Sequence, residues 1–200
     1  MIYNTQLIKT IFEPSRYYIL FNIIEKIYRK KLSRSQSRNL VCLTHAVCSV
    51  FINSNSNLYK YSKNMSTGYF IYDMIFALRY DKYNLSQLFY HYHHLTIIYI
   101  INQNPKYYLG DKILFWGELS NIPSYFVYYY LHKEIVNKNN VIFWKNIQKY
   151  VYAFIRIPIL GNVLYKLLKI SPSKAPTLTI IPVYLLGIFW TFKLFKQSKK

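Results

Sequence analysis

Residues 177–192, TLTIIPVYLLGIFWTF, contain no charged side chain. Between Ile180 and Trp190 the apolar residues occupy every side of a helix and leave no polar stripe for water. A helix of this kind is surrounded either by protein or by lipid. The segment approaches the length of about 20 apolar residues that a membrane crossing requires. It therefore directs attention to other segments of the same kind.

Five earlier segments repeat this apolar character. They are residues 39–51, 67–78, 86–101, 113–131 and 141–160, and connectors rich in Lys and Asn separate them. The mean hydropathy of +0.03 is therefore an average of apolar blocks and polar connectors. Six blocks predict an all-α fold, a multi-pass transmembrane helical bundle of about six spans. A soluble bundle, the alternative, should show a polar stripe, which residues 97–101 and 180–190 lack.

The chain is strongly basic, with 26 Lys and Arg against 7 Asp and Glu and a net charge of +19. A nucleic-acid-binding protein gathers its cations on one face or in a motif. Here most of the cations lie between the apolar blocks, so we expect no nucleic-acid partner. The expected partners are the lipid bilayer and a membrane lipid or acyl chain. The oligomeric state stays open and includes a homodimer.

The cations also predict how the chain is oriented in the membrane. Six spans place both termini on one side, and that side has twice as many flanking cations as the other. Because Lys and Arg in short loops resist translocation, we expect both termini in the cytoplasm. The cytoplasmic set is Arg29, Lys30, Lys31, Arg34, Arg38, Arg79, Lys82, Lys133, Lys138, Lys145, Lys193, Lys196, Lys199 and Lys200. The opposite set is Lys60, Lys63, Lys106, Lys112, Lys166, Lys169 and Lys174.

Residues 1–37 differ from the rest of the chain. The apolar stretches 2–12 and 17–27 are short, and Pro14 and several charges interrupt them. We interpret this region as an interfacial amphipathic segment that ends in a basic cluster and favours an anionic leaflet. A seventh span is the alternative. The expected division is an N-terminal interfacial segment, 1–37, followed by a transmembrane domain, 38–200.

Ionisable side chains inside apolar spans are costly and rare, so each one is a candidate for function. They are His45, Asp73, His91, His93, His94, Glu118 and Arg156. Helical spacing places His91 and His94 on one face, with Tyr90 beside them. These side chains could instead form a structural network in which Asp73 or Glu118 pairs with Arg156 and the imidazoles bond hydroxyl groups.

A metal site would need several His and carboxylate ligands at defined spacing. The chain has five His, and its one His-rich run is HYHH, residues 91–94. A site built from His45, His94, Asp73 or Glu118 stays geometrically open, but no spacing specifies it. We therefore expect no metal and no cofactor.

The order of these elements resembles the TLC-domain family. The matching stretches are RNLVCLTHA (38–46), STGYFIYD (66–73), HH (93–94), GELSNIP (117–123) and FIRI (154–157). That family comprises multi-pass membrane proteins of the endoplasmic reticulum and plasma membrane, including the ceramide synthases. The resemblance covers most of the chain and implies helices around a central cavity that lipid can reach. It also implies residence in the endoplasmic reticulum.

Ceramide synthases carry a longer motif after the double His, with further Asn, His and Asp residues. Here the double His is followed by LTIIYIINQNPKYYLGDKILFWGELS, residues 95–120, which lacks the HD-x-x-D element. The chain is therefore more similar to the small members of the family that are not synthases. Binding, sensing or other handling of lipids, in membrane lipid homeostasis or trafficking, is the implied function.

The residues expected to line the lipid cavity are His45, Tyr69, Asp73, His94, Glu118 and Arg156. The alternative is an acyl-CoA-dependent N-acyltransferase related to ceramide synthase, with acyl-CoA as co-substrate. In that case His94 would be the general base or transient acyl acceptor, and His93 and Asp73 would belong to the catalytic set.

Overall fold

The computed structural model describes residues 2–81, 84–103, 109–133, 136–170 and 174–197, and the described residues form only helical elements and short connectors. The six predicted apolar blocks all lie in helices, so the all-α prediction is confirmed. The helices are α1 (Ile2–Tyr28), α2 (Arg34–Asn53), α3 (Tyr59–Tyr80), α4 (Leu85–Ile101), α5 (Leu109–Leu131), α6 (Lys138–Phe154), α7 (Leu160–Ile170) and α8 (Lys174–Gln197). A 3-10 turn, Ser56–Leu58, precedes α3, and a π-helical segment, Ile155–Ile159, joins α6 to α7.

Successive helices run in alternating directions, except that α7 continues the direction of α6 through the π segment. The carbonyl oxygen of His132, after α5, accepts a hydrogen bond of 2.7 Å from the Gln36 amide at the start of α2. Asp81, after α3, pairs with Arg38 of α2, and Phe195 of α8 meets Tyr150 of α6. One end of the bundle therefore contains the starts of α2, α4 and α6 and the ends of α3, α5 and α8. We call it the basic end, because most of the predicted cytoplasmic cations lie there.

Side-chain caps define where the three helices at the basic end begin. Ser33 and Gln36 form a capping box on α2, with N···O distances of 3.3 and 3.0 Å. At α4 and α6 a single cap is present: the side-chain oxygen of Asn84 accepts from the Gln87 N–H, and that of Asn137 accepts from the Asn140 N–H. These oxygens accept hydrogen bonds from backbone N–H groups that have no partner within the helix, so they fix the helix starts.

The N-terminal region forms a single helix, although Pro14 and several charges interrupt its apolar stretches. α1 has 27 residues, continues through Pro14 and is about 40 Å long. Its Phe21 ring is buried, with 2% exposed, and its Glu25 carboxylate accepts a hydrogen bond of 3.3 Å from Tyr72 of α3. Packing on α2 and α3 thus maintains a helix that Pro14 alone would interrupt. The predicted boundary at residue 37 falls inside α2.

Two helices could cross a membrane by length and composition alone. They are Lys138–Ile170, which includes α6, the π segment and α7, and Leu178–Gln197 of α8. Only 33% and 22% of their most apolar windows are buried, whereas the core helix of a soluble protein is mostly buried. This is weak support for a membrane protein. The other predicted spans do not meet that test, and Lys82, Lys106, Lys199 and Lys200 of the orientation argument lie outside the described residues.

Candidate functional site

An ion-pair network connects α2, α3 and α4 and extends inward from the basic end of the bundle. The Arg38 Nε donates to Asp73 Oδ1 at 2.7 Å, and its Nη1 donates to Asp81 Oδ2 at 2.9 Å. A third hydrogen bond runs from Nη2 to the Tyr90 hydroxyl at 2.8 Å. Asp73 is buried, and Tyr69, one helical turn before it, donates its hydroxyl to Oδ2 at 3.4 Å. One guanidinium therefore connects three helices around a buried carboxylate.

His94 lies beside this network on α4. Its Nδ1 is 2.8 Å from the Tyr90 carbonyl oxygen. Because a carbonyl only accepts hydrogen bonds, we assign the Nδ1 proton to this contact. The other ring nitrogen, Nε2, lies 3.5 Å from Asp73 Oδ2. The contact with the Tyr90 carbonyl thus orients the ring and leaves Nε2 facing the carboxylate.

A second buried pair lies behind this network. The His45 ring, which is fully buried, stacks on Tyr69 with a centroid distance of 3.7 Å. Its Nε2 is 3.1 Å from the Ser66 hydroxyl, and its Nδ1 is 3.8 Å from Glu118 Oε1. Glu118 also accepts a bond of 3.5 Å from the Asn121 amide. His45 therefore supports Tyr69 and Glu118 from behind.

Arg156 reaches the bundle interior from the π-helical segment. A π turn inserts one extra residue into a helix, and Pro158 in this turn has no N–H to donate. Arg156 Nε donates to the Ser120 hydroxyl at 2.8 Å. Its Nη2 donates to Asn121 Oδ1 at 3.0 Å and to the Gly117 carbonyl oxygen at 3.3 Å. All three partners are neutral groups on α5.

These side chains line a cavity of about 280 Å³, which we call the chamber and which contains charged groups among aromatic rings. It extends from Arg38 to Arg156 between α2, α3, α4, α5, the π segment and α8. The described residues that line it are Arg38, Cys42, Tyr69, Phe70, Asp73, Tyr90, His93, His94, Glu118, Asn121, Ser124, Tyr125, Tyr152, Arg156 and Trp190.

Two further cavities adjoin the chamber. The slot, about 60 Å³, shares Phe70, His93, Glu118, Asn121 and Arg156 with the chamber. Its remaining lining is mostly apolar and comes from Ile97, Ile113, Leu114, Gly117, Leu160, Val163, Leu164, Ile180, Val183, Tyr184 and Gly187.

The other adjoining cavity is an open recess of about 330 Å³ between α5, α6 and α8, which we call the mouth. Its lining is Asn121, Ser124, Gln148, Tyr152, Trp190, Lys193, Leu194 and Gln197. Four of these residues, Asn121, Ser124, Tyr152 and Trp190, also line the chamber. The mouth therefore connects the chamber to the basic end of the bundle.

Most of the side chains singled out in the sequence lie around the chamber. Tyr69, Asp73, His93, His94, Glu118 and Arg156 line it, whereas His45 lies behind Tyr69 and does not. The described residues contain no group of three or more His, Cys, Asp and Glu side chains placed to hold a metal ion.

The ion pairing differs from the predicted network, and Arg38 is the residue that sequence analysis missed. Asp73 pairs with Arg38, and the described residues contain no ion pair between Arg156 and a carboxylate. Arg38 was assigned to the basic flank of the first span. It lies two helical turns before His45 and one before Cys42, so a helical projection of α2 would have placed it on the same inward face.

Comparison with protein-family models, with curated proteins and with solved structures gives no match.

Proposed function

We propose that this chain is a multi-pass membrane protein, similar to the TLC-domain family, that binds a membrane lipid or acyl chain inside its helical bundle. By the same resemblance it would reside in the endoplasmic reticulum and act in lipid homeostasis or trafficking. The observation that carries the proposal is the chamber joined to the slot. The charged side chains Arg38, Asp73, Glu118 and Arg156 line the chamber, whereas the residues that line only the slot are mostly apolar. An amphiphile requires both kinds of lining in its binding site.

The distribution of side chains over the bundle supports a lipid environment. Phe51, Leu78, Phe154 and Phe192 are between 62% and 76% exposed. Buried positions include a series of polar side chains: Ser37, His45, Ser49, Ser62, Ser66, Asp73, Glu118, Ser120 and Arg156. Water-soluble proteins bury large apolar side chains and expose polar ones. An apolar exterior of this extent is typical of surfaces that contact lipid or another protein.

The proposed orientation puts the basic end in the cytoplasm. Arg34, Arg79, Lys138 and Lys193 all lie there, in agreement with retention of short cationic loops. The direction of α1 alters one part of the six-span scheme. α1 runs parallel to α3, because Glu13 accepts a hydrogen bond from the Asn64 amide near the start of α3 and Glu25 accepts one from Tyr72 later in α3. The amino end of α1 therefore lies at the end of the bundle opposite the basic end. If α1 also crosses the membrane, its amino end faces away from the cytoplasm, while the carboxyl end of α8 is cytoplasmic.

A variant that fills the slot tests this function. Val183 lines the slot and is 6% exposed, whereas Leu185 on the same helix is 56% exposed. Val183→Phe is expected to remove lipid that co-purifies with the protein, because the larger ring occupies the space of the chain. Leu185→Phe, the matched control, should keep the wild-type lipid content. Mass spectrometry of lipid released from protein purified in mild detergent measures both.

Two results of this experiment would count against the proposal. If the lipid that co-purifies with the wild-type protein has the same composition as the bulk membrane, the proposal is contradicted. Equal lipid content in both variants would show that the lipid lies outside the slot. Thermal unfolding of each variant accompanies the assay, since overpacking at Val183 costs about 1 to 3 kcal/mol.

The Asp73 and His94 geometry supports a second candidate, an acyl-CoA-dependent N-acyltransferase. With Nδ1 bonded to the Tyr90 carbonyl, His94 Nε2 is free to accept a proton from an attacking amine. The amine nitrogen would bond to the thioester carbonyl carbon, the C–S bond would break, and the proton would pass to the departing thiolate. Asp73, 3.5 Å from Nε2, would stabilise the imidazolium.

His94→Ala separates the two candidate functions. If the protein is an acyltransferase, this variant should lose amide formation by about 100-fold or more and keep its bound lipid. Leu95→Ala, at an exposed neighbouring position, should keep wild-type turnover. The measurement is transfer of a radiolabelled acyl group from acyl-CoA to a long-chain amine by purified protein. Equal turnover in His94→Ala and wild type would exclude this role for His94.

A further inference from the structure

Arg156 is a buried cation that has no carboxylate partner. The residue is 7% exposed, and its hydrogen bonds go to the Ser120 hydroxyl, the Asn121 amide oxygen and the Gly117 carbonyl. Among the described residues no carboxylate oxygen lies within ion-pair distance of its guanidinium. Arg38, in contrast, pairs with two carboxylates. In the described structure Glu118 is linked to Arg156 only through the Asn121 amide, which binds both side chains. A buried charge without a counter-ion in direct contact is costly, so an anion supplied from outside the chain would lower that cost.

The position of Arg156 indicates that the head group of the bound amphiphile would be this anion. Arg156 lines both the chamber and the slot, so it lies where a head group would meet its chain. His93 lines both cavities as well, and its Nδ1 has no hydrogen-bond partner in the described structure. Both Arg156 and His93 therefore lie at the junction of the chamber and the slot.

The charges near this point favour an anion over a cation. Asp73 is already bound by Arg38 at 2.7 Å, and Lys193 lines the mouth. Glu118 is the carboxylate that opposes an anionic ligand, because it lines both cavities. Its oxygens are 3.8 Å from His45 Nδ1 and 3.5 Å from the Asn121 amide, which holds the carboxylate toward α2 and α5.

We infer that the bound amphiphile has an anionic head group, a carboxylate or a phosphate, which Arg156 holds at the junction while a single chain occupies the slot. This inference rests on the proposed function and deepens it. With a volume of about 60 Å³ the slot has room for part of one chain only, and a long-chain amine would place its charge against Arg156.

Four probes with the same chain test the head group: hexadecanoate, hexadecyl phosphate, hexadecanol and hexadecylamine. Each competes with radiolabelled hexadecanoate for full-length protein in uncharged detergent. Hexadecanoate or hexadecyl phosphate should bind about 10-fold or more tightly than the alcohol and the amine, and the order of the two identifies the oxyanion.

Three variants test the residues. Arg156→Gln should weaken binding of the preferred anion by about 30-fold and change binding of hexadecanol by less than about 3-fold. Arg156→Lys should retain more affinity than Arg156→Gln, because it keeps the charge. Glu118→Gln should tighten binding of the anion, because it removes a repulsive charge.

Several outcomes would overturn the inference. The alcohol or the amine could bind wild type as tightly as the anions do, or Arg156→Gln could weaken all probes equally. Weaker anion binding by Glu118→Gln would also contradict it, and this variant remains decisive if Arg156→Gln fails to fold. If none of the four probes binds wild type, the proposed function fails together with the inference. If the probes bind with no preference for a head group, the inference is wrong but the proposed function is not contradicted.

Discussion

Ala at position 68 is expected to destabilise the protein by about 3 kcal/mol, whereas Ala at position 117 should stabilise it by up to about 1 kcal/mol. Both glycines lie inside helices, where Ala has the higher helix propensity. Ala therefore raises helix propensity equally at both positions, and contacts with other helices decide whether the free energy of unfolding rises or falls.

The contacts at Gly68 come from α1. A Cβ added there would lie 2.7 Å from the Tyr17 Cβ and 2.9 Å from the Tyr18 nitrogen, and it would collide with the Pro14 carbonyl oxygen. Two of these three are backbone atoms, so no side-chain rotation relieves the overlap. The methyl group could be accommodated only if α1 moved away from α3. At Gly117 a new Cβ meets no atom within 4 Å.

Chemical or thermal unfolding of the two variants in mixed micelles measures these effects. Proteolysis adds information, because displacement of α1 should make the segment around Tyr17 more susceptible to cleavage in Gly68→Ala alone. A Gly68→Ala variant as stable as wild type would show that α1 does not pack this closely on α3. The result would also weaken the description of residues 2–28 as an integral helix of the bundle.

The positions of the helices could be predicted from the sequence because apolar segments and polar connectors alternate along the chain. Each predicted block lies in a helix, and the caps Asn84 and Asn137 lie in connectors beside helix starts. The N-terminal helix could not be predicted in this way. Pro14 and the charges around it lower local helical preference, and the contact with Gly68 that compensates comes from a residue more than fifty positions later.

The identity of the polar interior was largely predictable, but its pairing was not. An ionisable side chain in an apolar segment stands out without knowledge of the fold, as Asp73 and Glu118 do. Which cation meets which carboxylate depends on helix rotation and on the π turn that carries Arg156. Arg38 lay in a run of basic residues, where nothing in composition separates a loop cation from one that faces inward.

Arg38 therefore has two roles that the sequence alone does not separate. It lies at the basic end, where cations favour the cytoplasmic side, and its side chain is only 20% exposed as it contacts Asp73. A long side chain allows both, and its guanidinium carbon lies over the Phe76 ring, 5.0 Å from the ring centre. The free energy that the contact between Arg38 and Asp73 contributes to folding can be measured separately from the effect of the Arg38 charge on membrane orientation.

A double-mutant cycle on Arg38 and Asp73 is expected to give a coupling free energy of about 2 kcal/mol. Arg38→Gln leaves the Asp73 carboxylate buried without its cation, and Asp73→Asn leaves the guanidinium with Asp81 and Tyr90 only. Each single change should cost about 3 kcal/mol, the expected cost when one partner of a buried pair is removed. The double variant should cost less than their sum, because it leaves neither charge uncompensated.

Asp81→Asn is the matched control for this cycle. Asp81 also binds Arg38, at 2.9 Å, but its side chain is 41% exposed, so water compensates for the lost contact and the cost should stay below about 1 kcal/mol. Unfolding free energies of the variants in mixed micelles give the comparison. Additive single changes would show that Arg38 and Asp73 do not interact. A loss at Asp81 as large as the loss at Asp73 would mean that the pair at the basic end, rather than the buried pair, holds α2 and α3 together.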